Sequence, residues 1–288
     1  MAISDQQFET WAKQGAVATS KATGDSIKRA VSSYDKFPDG VTYDVYLQGS
    51  YKNNTNIYSE SDVDVVVELT STFYNNLSRE QQAYLRLRSA YYGFIDFRND
   101  VIGCLSDYYG EQNINPDNKV VKLAPNSGRR PADILICCSY REYYRVASNA
   151  YHDGVYFRTS RTHQNCYSFP KKHYENAVEK NQDCDGNFKP MVRIFKNINR
   201  TLINREEIES KTAPSYFIEC LLGNIPTIQF QGTYREMFMN ILEYLADNNW
   251  DNFKCLNGLR TMWGAGSENW AEEKARRYLV KTVDLWDE

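Results

Sequence analysis

The sequence predicts an α+β fold with two lobes, because its first half is rich in strand patterns and its second half is rich in helical patterns. Residues 1–168 contain short apolar or alternating runs rich in β-branched and aromatic residues, separated by turn residues. Residues 169–288 contain apolar residues at the helical period. We therefore expect a sheet-containing lobe over 1–168 and a helical lobe over 169–288, with a functional site in the cleft between them.

The predicted elements begin with an amphipathic helix over about Ser4–Ser33. A strand then ends at Gln48, a Gly49-Ser50 turn follows, and the Asp62–Leu69 run forms the next strand, with its valines on the core face. The remaining predicted elements are two helices, a hairpin, a loop with short strands and five further helices, over Ser78–Tyr92, Phe94–Tyr109, Lys119–Ser139, Tyr143–Ser168, 170–181, 189–204, 213–223, 232–247 and 271–284.

Composition limits the class of protein. A chain of 288 residues can bury an ample core, and none of its apolar runs approaches the ~20 residues that a membrane span needs. The seven cysteines are an odd number without a Cys-x-x-Cys motif, which indicates neither a zinc site nor a complete disulfide framework. We expect a monomeric protein of the reducing cytoplasm that does not enter a membrane.

The net charge of −3 argues against a nucleic-acid partner, because proteins that sense nucleic acids normally present a basic face. Basic residues occur only as isolated pairs, at Arg129-Arg130, Lys171-Lys172 and Arg276-Arg277. We therefore expect no activation by double-stranded DNA or RNA.

The most informative stretch combines a small-residue turn with two acids on a strand. Gly49-Ser50 ends one predicted strand, and Asp62 and Asp64 lie on the next. Side chains two apart on a strand share a face, with Cα atoms roughly 6.6 Å apart, so a divalent cation is the usual reason to keep both carboxylates. The turn offers N–H groups and a hydroxyl to phosphate. Each motif alone is typical of an ordinary turn or a solvated strand; together they predict Mg²⁺-dependent chemistry on a nucleoside triphosphate.

A third acid, Asp133, lies inside a later apolar run, where an unpaired carboxylate is costly to bury. One interpretation is an ion pair with Arg129 or Arg130, just upstream. The interpretation we favour is a third metal ligand on a neighbouring strand, because alternation and a central turn predict a hairpin over Lys119–Ser139.

Gly-Ser, a spacer, Asp-x-Asp and a later Asp on an apolar strand resemble the pattern of the DNA polymerase β-like nucleotidyltransferases. The wider sequence resembles the bacterial cyclic-dinucleotide synthases called CD-NTases, relatives of animal cyclic GMP-AMP synthase, and it matches their clade E branch closely. The similarity runs from about Trp11 to Trp286. The segments that carry it are Trp11, 14–16, 46–53, 55–57, 61–67, 172–176, 195–197 and 213–222.

This resemblance implies a nucleotidyltransferase core, a C-terminal helical lobe and a long N-terminal helix that braces both lobes. It also implies that Asp62, Asp64 and Asp133 bind metal and carry catalysis. A larger set of residues is implied in substrate binding: Gln48, Gly49, Ser50, Ser61, Ser168, Lys196, Ser215 and Tyr216.

The helical half contains further candidates. Arg193, Lys196 and Arg200 share one face of a predicted helix, and a solvated stripe is one interpretation of that pattern. The resemblance instead implies that Lys196 and Ser215 contact the triphosphate, and Ser215 lies near a predicted helix start, which suits phosphate. Tyr216 would belong to the core without the resemblance; with it, Tyr216 stacks on a base, which contributes about 1–3 kcal/mol.

Ser168 occupies the position that the resemblance links to base choice. In this branch an Asn there goes with a pyrimidine donor, because its amide can both donate to and accept from a uracil edge. A Ser goes with purine-using relatives, since its shorter hydroxyl leaves room for a larger base. The residue therefore favours ATP as substrate and cyclic di-AMP as product over cyclic UMP-AMP.

The implied mechanism uses two Mg²⁺ ions, or Mn²⁺, spaced about 3.5–4 Å apart. One ion accompanies the triphosphate, and the other lowers the pKa of the acceptor ribose hydroxyl. That hydroxyl attacks the α-phosphorus and pyrophosphate leaves, while Asp133 is also a candidate to take the proton. The linear product then turns over in the same cleft, and a second attack closes the ring.

Other interpretations remain open at this point. A non-cyclising transferase that acts on RNA, protein or a small molecule shares the motif, as does a template-independent oligoadenylate synthase. A third alternative is a binding module that has the same fold but no catalytic activity. If the resemblance holds, the setting is bacterial antiphage signalling (CBASS), in which the product diffuses to a separate effector.

Overall fold

The computed structural model describes residues 3–15, 17–58, 62–264 and 269–288. It has the α+β architecture that the sequence predicts. The helices and strands follow in the order α1 (Asp5–Trp11), α2 (Ala18–Ser32), β1 (Tyr43–Leu47), α3 (Gly49–Asn53), β2 (Val63–Asn75), α4 (Arg79–Tyr84), α5 (Phe94–Tyr109), β3 (Ile114–Pro116), β4 (Val121–Leu123), β5 (Ala132–Arg145), β6 (Ala150–Arg158), β7 (Asn165–Ser168), α6 (Pro170–Asp183), α7 (Phe188–Asn204), α8 (Ser215–Gly223), α9 (Tyr234–Asp247) and α10 (Glu272–Asp287).

The chain divides into two compact units whose segments alternate along the sequence. The sheet unit comprises residues 17–51 and 61–172, and the helical unit comprises residues 1–16, 52–60 and 173–288. The short stretch that follows the Gly49-Ser50 turn therefore belongs to the helical unit, although strands of the sheet unit flank it in sequence.

The sheet unit is built around β2 and β5, which run parallel to each other. Strand β1 pairs antiparallel with the other edge of β2. Strands β4 and β6 both pair antiparallel with β5, and they continue the sheet to β3 and β7 respectively. Antiparallel pairing of β4 with β5 confirms the predicted hairpin, and it makes β5 the strand on which the other pairings converge.

Helices α2 and α5 pack on one face of this sheet. The ring of Phe97 on α5 contacts the ring of Tyr43, which is paired with Leu69 of β2, and Gly24 of α2 lies against Leu47. Because side chains alternate along a strand, these helices cover the face that carries Leu69 and the odd-numbered valines. Asp64 and Glu68 lie on the opposite face of β2.

The helical unit has its own apolar core, centred on α7. Phe8 of α1 packs against Phe238 of α9, which also contacts Phe195 of α7. Tyr278 of α10 is buried, and its hydroxyl donates to the carbonyl of Phe195 at 2.7 Å. Within the described residues, no helix combines the length and the apolar character needed to cross a bilayer.

Two predicted helices differ from the structure. The N-terminal helix is two helices, α1 and α2, because the N–H of Gly15 donates to the carbonyl of Asn56 at 3.0 Å and so leaves the helical ladder. The helix predicted over Ser78–Tyr92 ends at Tyr84. No residue of α4 is buried, so no tertiary packing stabilises a longer helix there.

Candidate active site

Asp64 and Asp133 lie opposite each other on the two central strands. The parallel pairing of β2 with β5 begins at Val63 and Ala132, and it places the Cα atoms of Asp64 and Asp133 in register. On the other side of β5, Lys122 of β4 is the register partner of Asp133. The strand pairing itself therefore brings together two acids that are far apart in the sequence.

Asp62 completes this group of acids. It directly precedes β2 and is exposed, whereas Asp64 and Asp133 are half-buried. Burial raises the pKa of the Asp133 carboxyl above its usual range, Lys122 partly offsets that rise, and the charge of Asp62 adds to it. The cation that acts on Asp133 is thus Lys122 rather than Arg129 or Arg130, whose pairing with Asp133 was the alternative interpretation.

The two arginines bond elsewhere in the sheet unit. Arg129 donates from Nε and Nη2 to the carbonyl of Ala124, at 3.1 and 2.8 Å. Arg130 donates from Nη1 to the hydroxyl of Tyr51 at 2.9 Å. Tyr51 directly follows the Gly49-Ser50 turn, so Arg130 supports the turn rather than the acid.

The Gly49-Ser50 turn is packed against Asp64. Gly49 has a φ of +63°, in the left-handed region that favours glycine, and a Cβ built on it would collide with the Asp64 carboxylate. The N–H of Gln48 donates to the carbonyl of Asp64 at 3.0 Å. Ser50 is half-buried in the first turn of α3. The structure therefore brings Gln48, Gly49 and Ser50 to the acids, as the motif spacing suggests.

The donor chemistry of these acids suits a hard divalent cation, because carboxylate oxygens are the ligands that Mg²⁺ prefers. Among the described residues, however, no group of three or more acidic, His or Cys side chains is already close enough to hold a metal ion. The three aspartates provide an acidic edge with mutual repulsion rather than a preformed cage. Burial is the main cause of the raised pKa of Asp133, and the charge of Asp62 adds to it.

Ser168 lies on the same face of the sheet as the acids. It ends β7, opposite Val155 of β6, and Val155 is in turn opposite Ser139 of β5. Opposed residues in antiparallel strands share a face, and Ser139 is six residues from Asp133 on β5. Ser168 is half-buried. Ser61, a further predicted substrate residue, lies outside the described residues.

A buried polar group on this face was missed by the sequence argument. Glu68 is 2% exposed, and it accepts hydrogen bonds from the Tyr46 hydroxyl at 2.8 Å and the Ser139 hydroxyl at 2.7 Å. Lys171 forms an ion pair with it at 3.0 Å. The available signal was similar to the one that identified Asp133: Glu68 is an acid that directly follows the apolar run Val65-Val66-Val67.

Lys196 and Arg193 are buried in the helical unit, so the solvated-stripe interpretation is wrong for both; only Arg200 of that group is exposed. Lys196 is 2% exposed, and its Nζ donates to the carbonyl of Thr55 at 2.9 Å. Arg193 donates from Nε to the carbonyl of Ala12 at 2.6 Å. Both cations bond to main-chain carbonyls of the helical unit.

Ser215 and Tyr216 form the first turn of α8, and both are exposed. The Tyr216 ring contacts the rings of His173 and Trp270, with centroids 5.0 and 5.5 Å apart. Its hydroxyl end is buried near Cys220, and that burial raises the pKa of Tyr216. Tyr216 is therefore neither a fully buried core residue nor a free surface residue, because it is 41% exposed while its ring packs against two others.

Three comparisons relate the chain to known proteins. A sequence model of the cGAS/DncV-like nucleotidyltransferase C-terminal helical domain matches residues 175–287. The cyclic UMP-AMP synthase of Rhodothermus marinus (strain SG0.5JP17-172) is 41% identical over 288 residues, covering 99% of this chain and 98% of its own. The cyclic dipurine nucleotide synthase of Elizabethkingia meningoseptica is 30% identical over 270 residues, covering 91% of each chain.

One solved structure extends the sequence similarity to the fold. The R. marinus CdnE c-UMP-AMP synthase, solved with Apcpp and Upnpp, superposes with a TM-score of 0.93 at 40% identity. The match covers 99% of this chain and 97% of that one. This chain and the R. marinus synthase are therefore similar in both sequence and fold along essentially their whole length.

Proposed function

Since the chain belongs to the clade E CD-NTases, the bacterial cyclic nucleotide synthases, we propose that it makes cyclic UMP-AMP from ATP and UTP. The nucleotidyltransferase activity and the fold that the resemblance implied are confirmed by this membership. The observation that carries the product is the 41% identity to the cyclic UMP-AMP synthase over 99% of the chain. This full-length identity indicates the product more strongly than the single residue Ser168 does, because base choice depends on the whole pocket.

In the proposed mechanism, Asp62, Asp64 and Asp133 hold Mg²⁺, which when bound neutralises the phosphate charge and favours an ionised acceptor hydroxyl. Asp133 is also the candidate to accept the proton of that ribose hydroxyl. The hydroxyl oxygen bonds to the α-phosphorus, the bond from the α-phosphorus to the bridging oxygen breaks, and pyrophosphate leaves. A second transfer of the same kind closes the ring.

The remaining residues bind and orient the nucleotides. The N–H groups and the hydroxyl of Gly49-Ser50 bind phosphate oxygens next to Asp64. Lys196 and the exposed Ser215 bind the triphosphate; an ammonium has three donors, so Lys196 can do this while it keeps its bond to Thr55. Tyr216 offers the open part of its ring to a base.

Ser168 supports a second candidate product, an all-purine ring such as cyclic di-AMP. Its hydroxyl lies on the acid-bearing face of the sheet and reaches less far than an Asn amide, which leaves space for a purine. The E. meningoseptica relative is a cyclic dipurine nucleotide synthase, so both product classes occur among the proteins that this chain resembles.

By the same resemblance we place the product in antiphage signalling, as a second messenger that activates a separate effector. The effector would recognise the diffusible cyclic nucleotide rather than this chain. This signalling role depends on which cyclic nucleotide the protein makes, because the effector recognises that product.

The test is to incubate the purified protein with Mg²⁺ and all four NTPs, each labelled in turn, and to identify phosphatase-resistant products by mass spectrometry. Cyclic UMP-AMP supports the proposal, and an all-purine ring replaces it with the second candidate. Pyrophosphate release without a resistant product would point to a linear or conjugating transferase. The control is the double variant Asp62→Ala with Asp64→Ala, which is expected to release no pyrophosphate, as is the wild type in EDTA.

A further inference from the structure

The stretch between the two halves of the motif is anchored by a buried polar network in the helical unit. This stretch, the 52–57 segment, is the covalent connection from the Gly49-Ser50 turn towards Asp62. Three of its five polar residues, Asn53, Thr55 and Asn56, are at most 2% exposed, whereas Lys52 and Asn54 are exposed. Surface loops normally leave such side chains in water, so their burial here calls for specific partners.

Glu219 of α8 is the partner of two of these side chains, those of Asn53 and Thr55. Its carboxylate accepts a hydrogen bond from the Thr55 hydroxyl at 2.6 Å and another from the Asn53 amide at 3.1 Å. Nε2 of His173 on α6 bonds to the same carboxylate at 2.8 Å. Three donors from two separate parts of the chain thus converge on one carboxylate that is 4% exposed.

The main chain of the segment is held as well. Lys196 donates to the carbonyl of Thr55 at 2.9 Å, and Arg193 donates to the carbonyl of Asn54. Asn54 has a φ of +58°, in the left-handed region that asparagine adopts more readily than most non-glycine residues. Successive residues of the segment are therefore bonded through both side chain and main chain.

Glu219 is ionised in this network. Burial alone would raise its pKa, but the hydrogen bond and charge of His173, the charge of Lys196 and the Thr55 hydroxyl together hold the pKa below its usual range. A buried ion pair contributes little net stability compared with well-packed apolar residues, because both charges lose their hydration. Beyond any stability, such a network holds its side chains in a fixed geometry.

We propose that Glu219 is a positioning residue for nucleotidyl transfer: it fixes the 52–57 segment, which begins two residues after Ser50, and so restricts where the phosphate-binding turn Gly49-Ser50 can lie. The inference rests on the proposed site, because it needs Gly49-Ser50 to bind the reacting nucleotide. Small displacements of groups that hold reacting atoms reduce turnover strongly, by about 10²-fold for 1 Å.

The sharpest test compares Thr55→Val with Thr55→Ser. Valine has nearly the shape of threonine but cannot donate to Glu219, whereas serine keeps the hydroxyl and loses only a methyl group. We expect Thr55→Val to lower the kcat of pyrophosphate release by about tenfold or more, with the KM for NTP changed less than about threefold. Thr55→Ser is expected to retain most of the wild-type kcat.

Tyr278→Phe is the matched control for a loss of stability. It removes one buried hydrogen bond of the helical unit, to Phe195, without touching the 52–57 segment. If Thr55→Val lowers Tm by as much as Tyr278→Phe does, only Thr55→Val is expected to lower kcat at a temperature where both are folded. Glu219→Gln, which presents an amide to donors, is the second variant to use if Thr55→Val does not fold.

A kcat of Thr55→Val equal to that of Thr55→Ser and wild type would overturn the inference, as would an equal loss of kcat in Tyr278→Phe. Pyrophosphate release accompanies every nucleotidyl transfer, whichever ring is formed. The positioning role can therefore fail while the product assignment stands, and a different product leaves the positioning test valid.

Discussion

Gly49 lies so close to Asp64 that a side chain on the glycine would occupy the space of the carboxylate. The glycine also has a φ of +63°, so its position satisfies a backbone requirement and a packing requirement at once. The contact joins the Gly49-Ser50 turn to Asp64 on the next strand, so the two parts of the motif must fit against each other closely.

We expect Gly49→Ala to lower kcat/KM by about 10²-fold, because the new methyl group must displace the Asp64 carboxylate. Gly40→Ala is the control: Gly40 also has a positive φ, of +81°, but a Cβ there meets only the Tyr91 hydroxyl, at 4.0 Å. Both variants carry the backbone cost of a positive φ, so Gly40→Ala shows how much of any loss of Tm or activity the backbone alone causes. Equal activity in the two would contradict the role of the contact.

We expect Asp133→Asn to abolish product formation yet to raise Tm at pH 7 in the absence of metal. A carboxyl whose pKa is raised by folding destabilises the native state once it ionises, so stability falls as pH rises from about 3.8 through the folded-state value. The asparagine removes that loss, and its stabilising effect should shrink towards pH 4. Melts at several pH values check this, with the exposed Asp153→Asn as control; a lower Tm at pH 7 would contradict it.

Tyr216→Ala is expected to raise the KM for NTP by about tenfold with little change in kcat, because base stacking contributes about 1–3 kcal/mol. Tyr216→Phe keeps the ring and removes only the buried hydroxyl, so it should retain a KM close to that of wild type. Steady-state kinetics separate the two variants. A Tyr216→Phe variant as impaired as Tyr216→Ala would assign the effect to the hydroxyl instead.

Ser168→Asn is expected to increase the incorporation of UTP relative to ATP, because an amide can both donate to and accept from the uracil edge. Ser168→Ala removes the hydroxyl without adding reach, and it should not produce that increase. Competition assays with equal UTP and ATP, analysed by mass spectrometry, give the ratio directly. An unchanged ratio in Ser168→Asn would show that base choice resides elsewhere in the pocket.

The acids could be predicted from the sequence because their signals are local. The strand period predicts that Asp62 and Asp64 share a face, although β2 begins only at Val63, and the cost of a lone buried carboxylate identifies Asp133. The register that sets Asp64 opposite Asp133 depends on residues far apart in the sequence. Two buried parallel strands nevertheless allow few alternative registers.

The anchoring of the 52–57 segment could not be predicted in this way. Thr55 and Glu219 are 164 residues apart, and Lys196 reaches a carbonyl 141 residues away. In the sequence, charged residues at helical spacing have the pattern of a solvated face, so nothing marks Arg193 and Lys196 as buried. The break in the N-terminal helix has the same cause, because the partner of Gly15 is the distant Asn56.

The seven cysteines are all buried thiols, and they are divided between the two units. Cys104, Cys137, Cys138 and Cys166 lie in the sheet unit, whereas Cys184, Cys220 and Cys255 lie in the helical unit. Burial also raises the pKa of Cys104 to about 11, which suppresses the thiolate that alkylating reagents attack. Alkylation of these cysteines therefore requires local opening of the unit that contains them. The order in which they are alkylated, with and without nucleotide, would show which unit opens first and which unit the nucleotide protects.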